Sequence, residues 1–424
     1  MLVGIVLLDF IFTYILIMSE KITKVTAAFS GGMVLIVLNI ISQQEAIDFI
    51  DFNTIGLLLG MMLLVGITKQ TGFFQYIAIK AVKWAGGKPR NILISFGLIT
   101  AVFSAFLDNV TTVLLIAPVT LIISETLEIN PIPFLITEIL LANIGGTATL
   151  IGDPPNIMIG SSTNLSFMDF LINLAPVVII ILVVITFLMQ RYYKKELHVS
   201  KDTINKINNF NEKDAIKDRK LMYQSLTVIG LVLSGFLFHD LIEFPSATIA
   251  LAGAALLLLI SEAQPEQILK DVEWTTIFFF AGLFVLVGGM EKVGIIGWLA
   301  NHTLNITKGH FMLTTLFVLW ASALASTIVD NVPFVATMIP LINAIGQSAG
   351  PHFHIEPLWW ALSLGACLGG NGSLVGASAN LVVAGIAEKH KYKIGFKSFI
   401  KIGFPVMIIS IVIATIYIYL RYLI

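Results

Sequence analysis

Long apolar runs alternate with short polar ones along this chain, on a scale that fits membrane spans. In the first half the apolar runs cover residues 1–18, 25–42, 54–68, 91–126, 132–163 and 167–189. In the second they cover 222–240, 247–262, 274–290, 309–346, 357–386 and 398–420. A full helical span takes about 20 apolar residues. The 91–126 and 309–346 runs are too long for one span, and an Asp–Asn pair interrupts each of them. Each fits two spans or a re-entrant hairpin. The 132–163 and 357–386 runs contain IGGTATLIGDPP and LGGNGSLVGAS. Those glycines and prolines stop a helix, so each run predicts two half-helices around an unwound loop. The expected fold is an all-α polytopic membrane protein.

The halves also match in detail. DNVTTVLLIAP at 108–118 returns as DNVPFVATMIP at 330–340. The offset from Asp108 to Asp330 also pairs Gly31 with Gly253, Thr54 with Thr276, Gly60 with Gly282, Gly66 with Gly288 and Gly72 with Gly294. Farther on the offset grows slightly, pairing Gly145–Gly146 with Gly369–Gly370, Gly152 with Gly376 and Asn156 with Asn380. A near-constant offset over so long a stretch marks a duplicated unit. The chain divides into repeat 1 (1–189), a polar linker (190–221) and repeat 2 (222–424).

Basic residues set the expected orientation. Lys21, Lys24, Lys69, Lys80, Lys83, Lys88 and Arg90 fall on one side, with the linker and the lysines of 389–401. Glu45, Asp48, Asp51, Asp240 and Glu243 fall on the other. This puts the N-terminus outside and the linker in the cytoplasm, at the plasma (inner) membrane. Counting each hairpin as no crossing leaves five spans per half. Five is odd, so the halves are expected to be inverted relative to each other, a geometry that places a site at mid-membrane.

Composition sharpens the class. The chain is 57% hydrophobic and 12% charged, where soluble domains average about 25% charged. The apolar N-terminal run lacks a basic start and contains Asp9, so it reads as a span and not a signal peptide. A single cysteine, Cys367, excludes an internal disulfide and Cys-based metal sites, and reads as a packing residue. No GxxxxGK[ST] or HExxH pattern occurs, and no basic patch suited to nucleic acid. An enzyme is disfavoured and no cofactor is expected. The Phe278–Phe280 and Trp359–Trp360 clusters are expected to face lipid or the interface.

The candidate chemistry lies at the interruptions. A carboxylate inside an apolar run is costly and marks a pathway or an ion site. Asp108–Asn109, followed by Thr111 and Thr112, and Asp330–Asn331 offer hard oxygen ligands suited to sodium or a proton. Each Asp also suits the N-cap of the following helix. The first broken segment adds Asn143, Gly145, Gly146, Thr147, Thr149, Asp153 and Asn156. The second adds Gly369, Gly370, Asn371, Ser373, Ser378 and Asn380. Their glycines permit close backbone approach, and half-helix N-termini favour an anion. Asp153 matches Ala377 and reads equally as a cation ligand or a turn residue. Asp9 and Glu138 are lone acids with weaker claims.

Four stretches carry a resemblance: SAFLDNVTTVLLIAPVT at 104–120, NIGGTATLIGDPPNIMI at 143–159, DNVPFVATMIP, and GACLGGNGSLVGASANLVVAGIAE at 365–388. The chain resembles the ion transporter superfamily, most closely its pink-eyed dilution and arsenical-pump-like permeases. The resemblance implies a secondary transporter, often a homodimer, with a fixed scaffold and a transport unit that moves like an elevator. In the dicarboxylate branch both hairpin tips read Ser-Asn-Thr. Here Asp108 and Asp330 replace the Ser, while Asn109 and Asn331 carry over. Two added acids repel a dianion unless protonated or paired, which implies proton or sodium coupling as in the sodium/proton antiporter branch. The expected function is secondary active transport of a small ion or anion, arsenite-like or other. The alternatives are sodium/proton antiport and a passive chloride channel.

Overall fold

A computed structural model describes residues 2–19, 21–163, 165–197, 211–238, 244–262, 264–349 and 353–424. Asp240, Glu243 and the middle of the linker lie outside the described residues. The described chain is built from helices, as a bilayer demands: lipid offers no hydrogen bonds, so a span must satisfy its backbone internally. Among the described residues, ten helices are long and apolar enough to cross a membrane.

In the first half the helices are α1 (Leu2–Ser19), α2 (Lys24–Val37), α3 (Gln43–Phe49), α4 (Phe52–Gln70) and α5 (Phe73–Trp84). They continue with α6 (Pro89–Phe106), α7 (Asn109–Thr126), α8 (Ile132–Gly146), α9 (Pro154–Ser162) and α10 (Phe167–Tyr192). In the second they are α11 (Arg219–Leu237), α12 (Ser246–Ile260), α13 (Pro265–Asp271), α14 (Trp274–Lys292) and α15 (Ile295–Ile306). The last five are α16 (Phe311–Ile328), α17 (Asn331–Ala349), α18 (Glu356–Gly369), α19 (Ser378–Lys389) and α20 (Phe396–Ile418). Each helix of the first half has its counterpart ten helices later.

The long interrupted runs are helix pairs that break at Asp108 and at Asp330. Asp108 caps α7, accepting from the Thr111 N–H at 2.8 Å. Asp330 accepts from the Val332 N–H at 3.1 Å. The 69–90 stretch, expected as a loop, contains α5, and 291–308 contains its counterpart α15. Left-handed glycines, Gly72 at φ 80° and Gly294 at φ 82°, turn the chain into each of them. At 12 residues these helices are too short to span. Lys80 of α5 lays its ammonium over the rings of Tyr76 and Trp84, a cation on an aromatic face.

Packing follows the small residues, as it does between helices in lipid. α2 lies on α14, where Gly282 meets the Ala28–Phe29 backbone. α12 lies on α4, where Gly60 meets the Ala250 backbone. In the other cluster α6 crosses α8 with Gly145 against Ala101, and α16 crosses α18 with Gly369 against Ala323. In each cluster the second contact repeats the first between the equivalent residues of the other half. α8 and α18 are buried on every side, whereas α1 buries only Val6, Thr13 and Ile17. Trp359 and Trp360, expected at lipid, sit on α18 and are therefore buried. Trp360 packs edge-on against Phe170 and donates to Glu356. Phe279 and Phe280 are buried as well, and only Phe278 of that cluster is exposed.

Candidate functional site

Six helices begin around one cavity of about 430 Å³, four of them from one cluster. Its wall includes Asp108 and Asn109 at the start of α7, and Asp153 and Pro154 at the start of α9. Asp330 and Asn331 at the start of α17 and Ser378 at the start of α19 complete the ring. The tips of both halves thus share one space, although they lie far apart in the sequence. Thr23, Lys24 and the first turn of α14, including Glu273 and Thr276, line it from the other cluster. Phe279 and Phe280 add apolar wall.

The cavity's polar groups are tied to one another. Lys24 Nζ lies 2.6 Å from an Asp330 carboxylate oxygen and donates to Ser378 Oγ at 3.2 Å. Ser378 Oγ donates to the same Asp330 oxygen at 2.7 Å. The Asn331 amide donates to both carboxylate oxygens of Asp153, at 3.3 Å each. Among the described residues Asp108 has no ion pair. Among the described residues the buried Thr112 hydroxyl, in the first turn of α7, has no hydrogen-bond partner.

Behind the cavity a chain of amides joins the halves. Asn109 donates to Asn143 at 3.1 Å, and Asn143 donates to Asn371 and to Asn380, each at 2.9 Å. All five of Asn109, Asn143, Asn156, Asn371 and Asn380 are nearly or fully buried. A buried amide left unpaired costs about 1–3 kcal/mol, so such a chain locks its members' positions. Asn156 donates to the Thr147 and Thr149 carbonyls at 3.1 and 2.8 Å. Its counterpart Asn380 donates to the Gly370 and Ser373 carbonyls, both at 2.8 Å. These bonds hold the two unwound loops in shape.

Several expected ligands are spent on structure and do not line the cavity. The Thr147 hydroxyl donates to the Asn143 carbonyl at 2.7 Å, and that of Thr149 to the Ala105 carbonyl. Ser373, the counterpart of Thr149, donates to the Thr327 carbonyl at 2.6 Å. Gly145, Gly146, Gly369 and Gly370 are there for helix–helix and loop–loop approach: an added Cβ would meet neighbouring protein atoms at each. Thr111 contributes its N–H to Asp108. Glu138 is buried away from the cavity and accepts from Thr120 at 2.5 Å. Cys367 is buried beside Asn156.

Lys24 and Glu273 also line the cavity, and the sequence did not single them out. Lys24 counted there only as a loop charge. Glu273 is the counterpart of Asp51 in the second repeat, so an acid precedes α4 and α14 alike. That match was the available signal. Glu273 accepts from Thr276 at 3.1 Å, in the way Asp51 accepts from Thr54 at 2.6 Å. Asp51 also accepts from Ser161 of α9 at 2.8 Å, joining the two helix clusters at the N-terminal end of α4.

Comparison with known proteins places these features. A family model described as CitMHS, citrate transporter, matches residues 14–365. The "46 kDa membrane protein" of Mycobacterium leprae (strain TN) is 43% identical over 98% of both chains. The P protein of Mus musculus is 34% identical over 97% of this chain and 59% of its own length. The Alcanivorax borkumensis YdaH transporter shares the fold, with a TM-score of 0.57 at 15% identity, over 94% of this chain and 87% of its own. The chain belongs to the citrate transporter family and is a membrane transporter and not an enzyme.

Proposed function

We propose that this protein is a secondary active transporter of a small ion or anion, coupled to sodium or protons through Asp108 and Asp330. The observation that carries the reading is that both Asp–Asn tips, with Asp153, line one cavity. Four carboxyl groups, those of Asp108, Asp153, Asp330 and Glu273, line it against one lysine, Lys24, so the cavity suits a monovalent cation or a proton. An anion then finds N–H donors at the start of α19, where Ser378 and Ala379 stand in place of Pro154 and Pro155.

In this reading the two halves are inverted repeats, 1–189 and 222–424. The clusters at 25–68 and 247–290 form a fixed scaffold that carries a homodimer interface. The hairpins and broken helices move as one elevator. The N-terminus lies outside and the linker is cytoplasmic, in the plasma membrane. Arsenite, citrate and chloride are the anions to compare first. The excess of cavity carboxylates over its single lysine favours sodium/proton antiport as the second reading.

Purified protein in proteoliposomes decides among these. Uptake and counterflow are measured for sodium, arsenite, chloride and citrate, with and without a pH gradient. The proposal expects counterflow of one of them that depends on a sodium or pH gradient. Voltage-driven current without counterflow identifies a channel and ends the proposal.

A further inference from the structure

Lys24 belongs to α2, which packs on α14, yet its ammonium reaches across the cavity to a carboxylate at the start of α17. It is 24% exposed at the cavity edge beside the exposed Thr23, while Asp330 is 3% exposed. Its two contacts are hard oxygens, the Asp330 carboxylate at 2.6 Å and Ser378 Oγ at 3.2 Å. A carboxylate, a hydroxyl and a neighbouring carboxamide are also the donors a small hard cation takes. The ammonium therefore stands where such a cation would stand.

Among the described residues nothing equivalent stands at the other tip. The repeat pairs Lys24 with Ser246, the first residue of α12. Asp108 is held by the Thr111 N–H and, among the described residues, by no ion pair. The charged groups sharing the cavity with Asp330 are Lys24, Asp108, Asp153 and Glu273, so Lys24 is its one positive neighbour there.

We propose that Lys24 is a tethered competitor that displaces a monovalent metal cation from the Asp330 carboxylate. The inference rests on the reading of Asp330 as a cation seat. Two charges cannot occupy one seat, and the bound ammonium is present at high local concentration because its helix holds it there. Removing it leaves Asp330 and Ser378 to the ion alone. The asymmetry has a consequence for stoichiometry: the Asp108 side holds its cation without competition, while the Asp330 side releases its cation whenever Lys24 returns.

The test uses the purified full-length protein in detergent at fixed pH. Sodium chloride is titrated against choline chloride of equal ionic strength, and the half-saturating sodium concentration is read from thermal stabilisation. Lys24→Gln should lower that concentration at least tenfold, and Lys24→Arg should leave it within about threefold of the parent. To separate lost charge from altered folding, Lys24→Cys is made in a Cys367→Ala background. The folded protein is titrated before and after attachment of an aminoethyl group, which should restore the weaker sodium response. An unchanged half-saturating concentration in Lys24→Gln, or no sodium response in any variant, overturns the competition. Asp108→Asn separates the two failures. If it still abolishes gradient-coupled uptake, the transport reading stands without the competitor; if it does not, the reading beneath has failed too.

Discussion

The unwound loop before α9 and the one before α19 share a backbone and differ in charge. In both, an Asn (Asn156 or Asn380) donates to two loop carbonyls. In both, a hydroxyl (Thr149 or Ser373) reaches back to the preceding hairpin arm. Yet the first loop ends in Asp153-Pro154-Pro155 and the second in Ala377-Ser378-Ala379. One end presents a carboxylate and two residues without N–H groups. The other presents no acid, a hydroxyl and intact N–H donors. The two loops share the bonds that shape their backbone and differ where they line the cavity, Asp153 and Pro154 in one and Ser378 in the other. The broken helices are therefore alike in backbone and different in the chemistry they present.

The shared backbone is the easiest half of this comparison to break. Gly145→Leu and Gly369→Leu each drive a side chain into backbone, at Ala101 and Ala323 respectively. Overpacking costs about 1–3 kcal/mol, and more where backbone must move. Both variants should lose folded protein to a similar extent, read as monodisperse yield and thermal unfolding in detergent. A large difference between them would mean that the copies are not mechanically equal.

Asn143 sharpens the contrast, because its counterpart is Cys367. Asn143→Ala removes the donor to Asn371 and Asn380 and the acceptor from Asn109. About 2–5 kcal/mol of stability should go, since each stranded buried amide costs about 1–3 kcal/mol. Cys367→Ala should cost under about 1 kcal/mol, because it loses only a weak thiol bond to Asn156, whose oxygen still accepts from Ser363. Equal losses would remove the special role given to the amide chain.

Asp153 tests the chemical difference itself. Asp153→Asn keeps the shape and removes the charge that faces Asn331. Gradient-coupled uptake should fall at least tenfold, about 1.4 kcal/mol in transport terms, while Ala377→Gly should change it less than twofold. Comparable effects would make the two loop ends interchangeable.

The smallest expected effect lies outside the membrane core. Glu45 of α3 pairs with Lys292 of α14 at 2.6 Å, and the counterpart of Glu45 in the second repeat is the uncharged Gln267. The Lys292 ammonium, then the Ser42 backbone and hydroxyl, pull the Glu45 carboxyl from its usual 4.5 down to about 2. A depressed acid adds stability that is full above its unfolded value and is lost as pH falls through its folded one. Glu45→Gln should therefore flatten the acid side of the stability curve between about pH 4.5 and 2. The change should be slight, because the pair is exposed. An unchanged curve would show that the pair adds nothing to stability.

The breaks in these helices were legible in the sequence because Asp, Gly and Pro are costly inside apolar runs. The duplicated offset located both tips and both loops. Burial within the bundle was not legible: lipid and protein interior are alike apolar, so hydrophobicity could not tell that Trp360 faces inward while α1 faces out. Nor could it tell which hydroxyls point into the cavity. Thr147 and Ser373 were expected there and instead satisfy carbonyls. Lys24 and Glu273 escaped because residues at helix starts look like loop charge until the packing of α2 and α14 brings them to the cavity edge.

The central claim is that Asp108 and Asp330 serve one coupled site. Uptake into proteoliposomes, driven by an imposed sodium or pH gradient, tests it most directly in Asp108→Asn, Asp330→Asn and the parent protein. The account predicts that each variant folds, as judged by its monodisperse profile, and that each loses at least nine-tenths of gradient-driven uptake. Gradient dependence equal to the parent in both variants would contradict it, leaving the two carboxylates as helix caps alone.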